Sequence, residues 1–573
     1  MKKQSKHQIS STMRLSIVYI VITLTVVTLL WRIIDLQFVN KSFLQKQADA
    51  RHLRVLPISA HRGMIKDRNG EPIAVSTPVD SVWVHPRVFN SDRSKWPELA
   101  KLLNIKKKKL NKLITSRLHK EFVYLKRRIS PELSKKVTAL QIPGVSLQRE
   151  YRRYYPMSEV ASHVLGFTNI DDQGQEGIEL AYDEWLKGIP GKKRVIKDRL
   201  GHVIKDIEQI KAPAPGKDLE LSIDGRLQYL AYRELKRAVF QHKAKSGSVV
   251  ILDIDSGEIL AMVNQPSFNP NKKYKNKGGR YRNRSITDAF EPGSTVKAFT
   301  IAAAIESGRF SPNSIVDTSP GYFMVAGNTV RDARNYGRIK VSTIITKSSN
   351  IGASKLALAT KPEKLWSVFS KVGFGNNSES GFPGESTGLL NHYSQWKKID
   401  NATLSFGYGL SVTALQLAHS YTAFSSNGEL PPVTFLKRND SENIHKQKLF
   451  NKKTVSQIIK MLETVVSEEG TGINASVAGY RVAGKTGTVK KASIGGYSED
   501  NYVASFVGLA PASHPKLVMA VVINEPGGEE YYGGKVAAPV FSRIMSGALR
   551  ILNVPLDNIP KRDIKFAKLG ERK

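Results

Sequence analysis

A long, strongly apolar run without charge lies near the start of the chain. Leu15 to Trp31 carries no charged residue over 17 positions. As a helix that is about 25 Å at ~1.5 Å per residue, slightly short of a hydrocarbon core of roughly 30 Å. Ile33-Ile-Asp-Leu-Gln-Phe-Val39 extends the apolar character into the interface, and Arg32 can snorkel. Elsewhere the pattern is short-ranged. From 39 to about 231, β-prone pieces mix with charged helical stretches, punctuated by Gly188-Ile-Pro-Gly191 and Ala212-Pro-Ala-Pro-Gly216. Lys101 to His119 reads as one helix-like run whose block Lys106 to Lys109 forms a solvated face. Leu219 to Asp224 predicts a strand and Leu227 to Gln241 a helix. The β-branched run Ser248 to Asp255, the turn Ser256-Gly257 and the return Glu258 to Val263 predict a hairpin. The period turns helical around residue 300. Tyr502 to Leu509 and Leu517 to Asn524 read as strands, and Val540 to Leu552 as a helix.

Strands at both ends with helices between them predict one mixed α/β domain whose sheet is closed by its terminal strands. The expected organisation is a tail over 1–14, a membrane anchor over 15–38, a first domain over 39–231, a second over 232–552, and a mobile charged tail over 553–573. No internal repeat or long low-complexity tract occurs.

Charge changes the picture at the N-terminus. Met1 to Arg14 contains Lys2, Lys3, Lys6 and Arg14 and no acidic residue, so the bulk of the protein is expected outside the cytoplasm. Ala48-Asp-Ala50 resembles a cleavage site, but it lies too far past the apolar run for an ordinary signal peptide, which favours an uncleaved anchor. With 87 basic against 50 acidic residues the net charge is +37, which raises nucleic-acid binding as a rival. The charge is spread along the whole chain, and the expected topology keeps it from DNA and RNA. A basic surface working near anionic lipid and cell-wall polymer accounts for it. There is no cysteine in 573 residues, which excludes disulfides, thiolate metal sites and thiol catalysis.

Three short strings carry candidate chemistry: Ser294-Thr-Val-Lys297, Ser348-Ser-Asn350 and Lys485-Thr-Gly-Thr488. Singly, the first two are weak, since S-x-x-K recurs at Ser394 and Ser513. Only Ser294 opens an Ala-rich apolar run that ends at Gly308, so the spacing puts Ser294 and Lys297 on one face of a buried helix. A serine hydroxyl needs a base. A lysine becomes one when burial and positive neighbours depress its pKa. Lys485 is such a neighbour, and its charge can also hold an anionic substrate terminus. Ser348 and Asn350 can relay a proton and grip an amide. Val482 to Val489 reads as a strand that a substrate can approach closely.

In that order the strings resemble the signature of penicilloyl-serine transferases. Arg62-Gly-Met-Ile-Lys-Asp-Arg-Asn-Gly70, Arg153-Tyr-Tyr-Pro156, Ala161-Ser-His-Val-Leu-Gly166, Gly177-Ile-Glu179, Ser267-Phe-Asn-Pro-Asn271, Phe290-Glu-Pro-Gly-Ser294 and Phe406-Gly-Tyr-Gly-Leu410 narrow the resemblance to class B penicillin-binding proteins, and within them to the division-specific branch of Gram-negative bacteria. It runs to about residue 552. Ala414 departs from the family, which usually has proline there.

The resemblance implies a multidomain α+β architecture. A single transmembrane helix leads to an elongated non-catalytic pedestal and a transpeptidase domain whose antiparallel sheet is flanked by helices. It implies Ser294 as nucleophile, Lys297 as base, Ser348 as relay and Asn350 as donor-peptide grip. Lys485, Thr486, Gly487 and Thr488 would form the substrate-binding strand, with backbone N–H groups of Ser294 and Thr488 as oxyanion donors. It further implies peptidoglycan stem peptides (a D-Ala-D-Ala donor and an amine acceptor) as substrates and β-lactams as inhibitors. A membrane-embedded glycan polymerase and other division proteins would be partners, with no cofactor, metal or nucleic acid. The location implied is the inner membrane, with a cytoplasmic N-terminus and a periplasmic catalytic domain. An elongation-specific transpeptidase of the same class and a non-catalytic scaffold of the cell-wall complex stay open. So do a hydrolytic relative and a β-lactam sensor, although the short N-terminal tail leaves no room for a signalling module.

Gly479-Tyr-Arg-Val-Ala-Gly-Lys-Thr486 matches a P-loop literally, but Gly472 to Ala478 is a poor strand and Gly487-Thr-Val a poor helix start. The 12 histidines form no H-E-x-x-H pair. His163 and His419 read as satisfied structural histidines. Glu179 and Asp67, a conceivable acid–base pair, read as a salt-bridging and a turn-making residue.

Overall fold

The computed structural model describes residues 5–44, 46, 53–197, 203–272, 279–439, 441–493 and 496–558. The Ala48-Asp-Ala50 cleavage reading, positions 1–4 of the basic tail and positions 559–573 of the C-terminal tail lie outside the described residues. The apolar run is a helix, Ser5–Ile34, continued by a π-type turn, Asp35–Val39. Thr12–Val39, with mean hydropathy 2.3, is the one described helix long and apolar enough to cross a membrane. Thr23, Thr25 and Thr28 donate to the carbonyls of Tyr19, Val21 and Leu24 at 2.7–2.8 Å, so these three hydroxyls are compensated within the helix itself. Arg32 pairs with Asp35 at 2.8 Å where the run ends.

The chain divides into two compact units. The first comprises Met1–His61, Pro78–Arg152 and Gly188–Pro215. It holds an antiparallel sheet of Leu53–Ile58, Gly191–Lys197 and Val203–Lys211. It also holds an apolar core in which Val82, Phe89, Leu99, Leu110, Ile114 and Val123 are buried. The run Lys101 to His119 is two helices rather than one, Trp96–Leu102 and Lys107–Thr115. Asn104 takes φ 52°. The Ile105 and Asn104 N–H groups then close back on the carbonyls of Ala100 and Lys101 at 2.9 and 3.1 Å, a Schellman stop with asparagine in the left-handed position.

The second unit comprises Arg62–Thr77, Arg153–Lys187 and Gly216–Lys573. Its centre is a five-stranded antiparallel sheet in the order Ile259–Gln265, Ser246–Asp253, Leu517–Asn524, Gly496–Ala510, Ala483–Ser493. The predicted hairpin forms, and Ser246–Asp253 pairs directly with Leu517–Asn524 from the far end of the chain. Val249, Ile251, Met519 and Val521 enter a core with the helices Gly225–Gln241 and Ala538–Ile551. Val250, Leu252, Val518 and Ala520 enter the opposite core with the helices Lys297–Glu306, Ala414–Thr422 and Lys452–Glu463. Burial on both faces explains why these strands read as continuous apolar runs. The strand expected over Leu219 to Asp224 is confined to Leu219–Glu220, because Asp224 caps the helix Gly225–Gln241 by accepting from the Arg226 and Leu227 N–H groups. Where Ala414 replaces the family proline, a capping box fixes the backbone instead. Thr413 Oγ1 accepts from Gln416 N at 3.1 Å, and Gln416 Oε1 accepts from Thr413 N at 2.8 Å.

Also within this unit, Glu179 is fully buried between Arg62 (2.8 Å) and Arg153 (2.6 Å), with Asp183 2.7 Å from Arg62. Asp67 Oδ1 accepts from the Asn69 and Glu71 N–H groups. Glu179 is therefore an ion-pair hub and Asp67 a turn-maker, as their sequence contexts predict.

Candidate active site

The segment Glu291-Pro-Gly-Ser294 enters its helix through a 3-10 turn, Gly293–Val296, and only then becomes the α-helix Lys297–Glu306. The turn is tighter than the single helix expected from spacing, and it serves the pairing better. In 3-10 geometry residues three apart eclipse, and here the Lys297 N–H donates to the Ser294 carbonyl. Gly293 takes φ 57°, and a Cβ there would stand 2.3 Å from Val489 Cγ2. The turn is pinned by Thr295 Oγ1 donating to the Pro292 carbonyl (2.8 Å) and by the buried Tyr421 hydroxyl donating to the Thr295 carbonyl (2.7 Å). Ser294 stays half-buried while Lys297 is fully buried.

Lys297 Nζ reaches the second string directly. It donates to the Ser348 carbonyl at 2.6 Å, to Ser348 Oγ at 3.1 Å and to Asn350 Oδ1 at 2.7 Å. Burial, and then the nearby Lys485 charge, push its pKa well below that of an ordinary lysine, against an opposing pull from Asp332. Ser348 is presented by a break between two helices. Val341–Lys347 ends on it in the left-handed region (φ 59°, ψ 41°), and Ser349 caps the first turn of Asn350–Ala359 by accepting from Gly352 N. Asp332 braces the break. Its carboxylate accepts from Ser349 Oγ and Asn350 N at 2.5 Å each and from Ile351 N at 3.0 Å.

The third string lies on the last strand of the sheet, Ala483–Ser493. Lys485 is fully buried, and burial lowers its pKa to about 7. Among the described residues its Nζ has only long hydrogen bonds, 3.4 Å to both the carbonyl and the hydroxyl of Thr486. Thr486 Oγ1 is 2.7 Å from Thr471 Oγ1, and Thr488 Oγ1 accepts from Gly533 N at 2.9 Å. Thr488's own proton therefore remains available to an acceptor. At Gly487 a Cβ would stand 2.3 Å from Ser505 Oγ and 3.0 Å from the Pro292 carbonyl, so glycine lets the strand lie against the serine turn. The structure thus brings together the eight residues singled out by sequence: Lys297, Ser348 and Asn350 by hydrogen bonds, Lys485 by its field at Lys297, and Gly487, flanked by Thr486 and Thr488, by packing against Pro292 and Thr295 of the turn that carries Ser294.

Sequence reasoning missed Asp332, Ser349's capping role, Thr471 and Tyr421. Asp332 stands 18 positions before Asn350 and belongs to no pattern, so only the fold reveals it. The rivals fall away on geometry. The P-loop match runs into a strand instead of a helix. His163 and His419 are buried against the carbonyls of Arg280 (3.0 Å) and Pro431 (2.7 Å), and burial lowers both pKa values to about 4. Among the described residues no group of three or more His, Asp or Glu is placed to hold a metal ion.

Comparison with known proteins agrees with this geometry. Residues 247–546 match the model of the penicillin binding protein transpeptidase domain, and residues 57–221 that of the penicillin-binding protein dimerisation domain. The chain is 41% identical over 567 residues to the peptidoglycan D,D-transpeptidase FtsI of Escherichia coli K12, covering 98% of this chain and 96% of the relative. The solved transpeptidase domain of penicillin-binding protein 3 from Burkholderia pseudomallei superposes with a TM-score of 0.55 at 43% identity, covering 59% of this chain and 98% of that one. With serine, lysine and asparagine converging beside a strand that this family shares, the chain belongs to the class B penicillin-binding proteins.

Proposed function

We propose that this protein is a serine-type peptidoglycan D,D-transpeptidase that cross-links stem peptides in septal wall synthesis and is inhibited by β-lactams. The observation that carries the reading is the state of Lys297, buried, held on Ser348 and Asn350, with its pKa pushed well below that of an ordinary lysine. A neutral amine has two N–H donors and one lone pair. As the ammonium Lys297 donates to all three acceptors; on losing a proton it keeps the two short contacts, to the Ser348 carbonyl and Asn350 Oδ1, and gives up the longer one to Ser348 Oγ, which frees its lone pair for a hydroxyl proton.

Ser294 Oγ attacks the penultimate D-Ala carbonyl as Lys297 takes its proton. Lys485 and the hydroxyls of Thr486 and Thr488 hold the terminal carboxylate, with Gly487 allowing close approach. The backbone N–H groups of Ser294 and Thr488 stabilise the oxyanion. Ser348 passes the proton to the departing D-Ala, and Asn350 grips the donor peptide. An amine of a second stem then takes the acyl group from Ser294. Water-accepting relatives share the first half of this sequence and differ in the second.

The helix Thr12–Val39 anchors the protein as a single span of the inner membrane. The basic N-terminal residues favour a cytoplasmic N-terminus and a periplasmic ectodomain. We place the non-catalytic pedestal at 39–231 and the transpeptidase domain at 232–552, between the anchor at 15–38 and a C-terminal tail at 553–573. The resemblance to the division-specific branch supports a septal role, with a membrane glycan polymerase and division proteins as partners. The test is release of D-Ala from a D-Ala-D-Ala donor coupled to formation of a new amide with an amine acceptor. Wild type does both and Ser294→Ala neither. D-Ala release without amide product at saturating acceptor would move the protein to the hydrolytic relatives.

A further inference from the structure

A cavity of about 270 Å³ lies beside the serine turn. Ala289, Phe290 and Glu291, from the segment that enters Ser294, form one wall, and Val489, Lys490 and Ala492, from the clamp strand beyond Thr488, form another. Glu291 precedes Ser294 by three residues, which limits their Cα separation to roughly 11 Å even for an extended chain.

Five charged side chains line the cavity: Arg284, Asp288, Glu291, Lys490 and Lys491. Four of them are neutralised in ion pairs, Arg284 with Asp288 (3.0 Å), Lys490 with Glu499 (2.7 Å) and Lys491 with Glu525. Glu291 has no cationic partner among the described residues. Its Oε1 accepts from the Gly409 N–H (2.8 Å) and the Tyr497 hydroxyl (3.0 Å), while its Oε2 is buried with no hydrogen-bond partner. Burial raises its pKa, which makes it a stronger base than an exposed carboxylate. A buried carboxylate oxygen without a donor, in a cavity whose other charges are already paired, selects a ligand that brings a cationic N–H group. The apolar walls of Ala289, Phe290 and Val489 suit an aliphatic stem behind that group.

We infer that this cavity receives the side-chain amine of the acceptor stem, and that Glu291 takes the proton the amine must lose before it attacks the acyl-enzyme. The inference rests on the transpeptidase reading and assigns its second half-reaction. The incoming ammonium gives one proton to the Glu291 carboxylate. The freed lone pair forms the C–N bond to the acyl carbon while the ester bond from that carbon to Ser294 Oγ breaks. The nitrogen's second proton returns to Ser294 Oγ through Lys297 and Ser348, and Glu291 passes its own to water. A half-buried carboxylate with a raised pKa, three residues from the nucleophile and open to the cavity, has the basicity and the placement that general-base catalysis asks for.

The experiment measures how one acyl-enzyme divides between aminolysis and hydrolysis. The full-length protein in detergent is acylated by a thioester donor, with Nα-acetyl-D-lysine as acceptor. Both products come from the same intermediate, so any change in acylation rate cancels in their ratio. We expect aminolysis by wild type to saturate with acceptor, and the ratio to fall by roughly tenfold or more in Glu291→Gln while hydrolysis persists. Tyr497→Phe, which removes the hydroxyl that orients Oε1 but keeps the carboxylate, gives a smaller fall and serves if the glutamine variant does not fold. A ratio within twofold of wild type in the folded variants, or aminolysis that rises linearly with acceptor without saturating, overturns the inference. Failure of wild type to form any acyl-enzyme overturns the transpeptidase reading instead.

Discussion

Lys297 Nζ donates to both oxygens of Ser348, its carbonyl at 2.6 Å and its hydroxyl at 3.1 Å, and Ser348 meets it in a left-handed conformation at φ 59°. A non-glycine residue held there costs about 1–2 kcal/mol, so conformation and hydroxyl separate by mutation. Ser348→Gly relieves the backbone cost and Ser348→Ala retains it. Both lose the relay. We expect both variants to acylate at least ~10-fold more slowly with a chromogenic β-lactam. The glycine variant should be the more stable of the two by about 1 kcal/mol in urea unfolding. Equal acylation by wild type and both variants would remove Ser348 from the proton path.

Asp332 acts one layer further out. Its carboxylate serves three donors at the start of the helix that carries Asn350. Asp332→Ala leaves two backbone N–H groups and a hydroxyl without their acceptor, a loss of about 1–2 kcal/mol on the scale of helix caps. Acylation should fall as well, because Ser348 and Asn350 lose their brace. Asp332→Asn retains one acceptor oxygen and should fall between wild type and alanine in both measurements. A variant that lost stability but kept its acylation rate would confine Asp332 to a capping role.

The two buried lysines give opposite limbs to a pH profile. Lys297 must be neutral to act as base, and its depressed pKa makes the rate rise with pH at lower values than an ordinary lysine allows. Lys485 must be charged to hold a carboxylate, and with a pKa of about 7 in the free protein it loses that charge as pH rises through neutrality. The second-order acylation constant should therefore decline above about pH 7. A bound carboxylate stabilises the ammonium, so the first-order constant at saturation should keep its plateau to higher pH. Coincident limbs in the two constants would contradict the assignment of Lys485.

Glu179 tests the scaffold rather than the chemistry. It neutralises two buried arginines, Arg62 and Arg153. Glu179→Ala strands the Arg153 charge away from water and leaves Arg62 with Asp183 alone, and it should cost roughly 3–5 kcal/mol, read as a lowered urea midpoint. A loss under ~1 kcal/mol, the range of exposed ion pairs, would mean that solvent reaches the network.

The strands of the central sheet and the serine, S-x-N and K-T-G strings were legible because each is local. An apolar run, a spacing of three or a glycine beside lysine needs no knowledge of the rest of the chain. The run Lys101 to His119 misled because its charge pattern is helical throughout, while the break depends on Asn104 adopting a left-handed φ that an asparagine only permits. Spacing alone predicts an ordinary helix turn at Ser294. The close approach of Gly293 to Val489, nearly 200 positions away, accompanies a tighter one. Asp332 and the Glu291–Tyr497 bond were invisible for the same reason, since each joins segments that become neighbours only when the chain is folded.

The most direct test of the central claim is the intact mass of the full-length protein, and of Ser294→Ala, before and after exposure to a penicillin. The account predicts one stable adduct of the drug's mass on wild type and none on the variant, with both proteins folded. No adduct on folded wild type, or an adduct that survives the loss of Ser294, would contradict it.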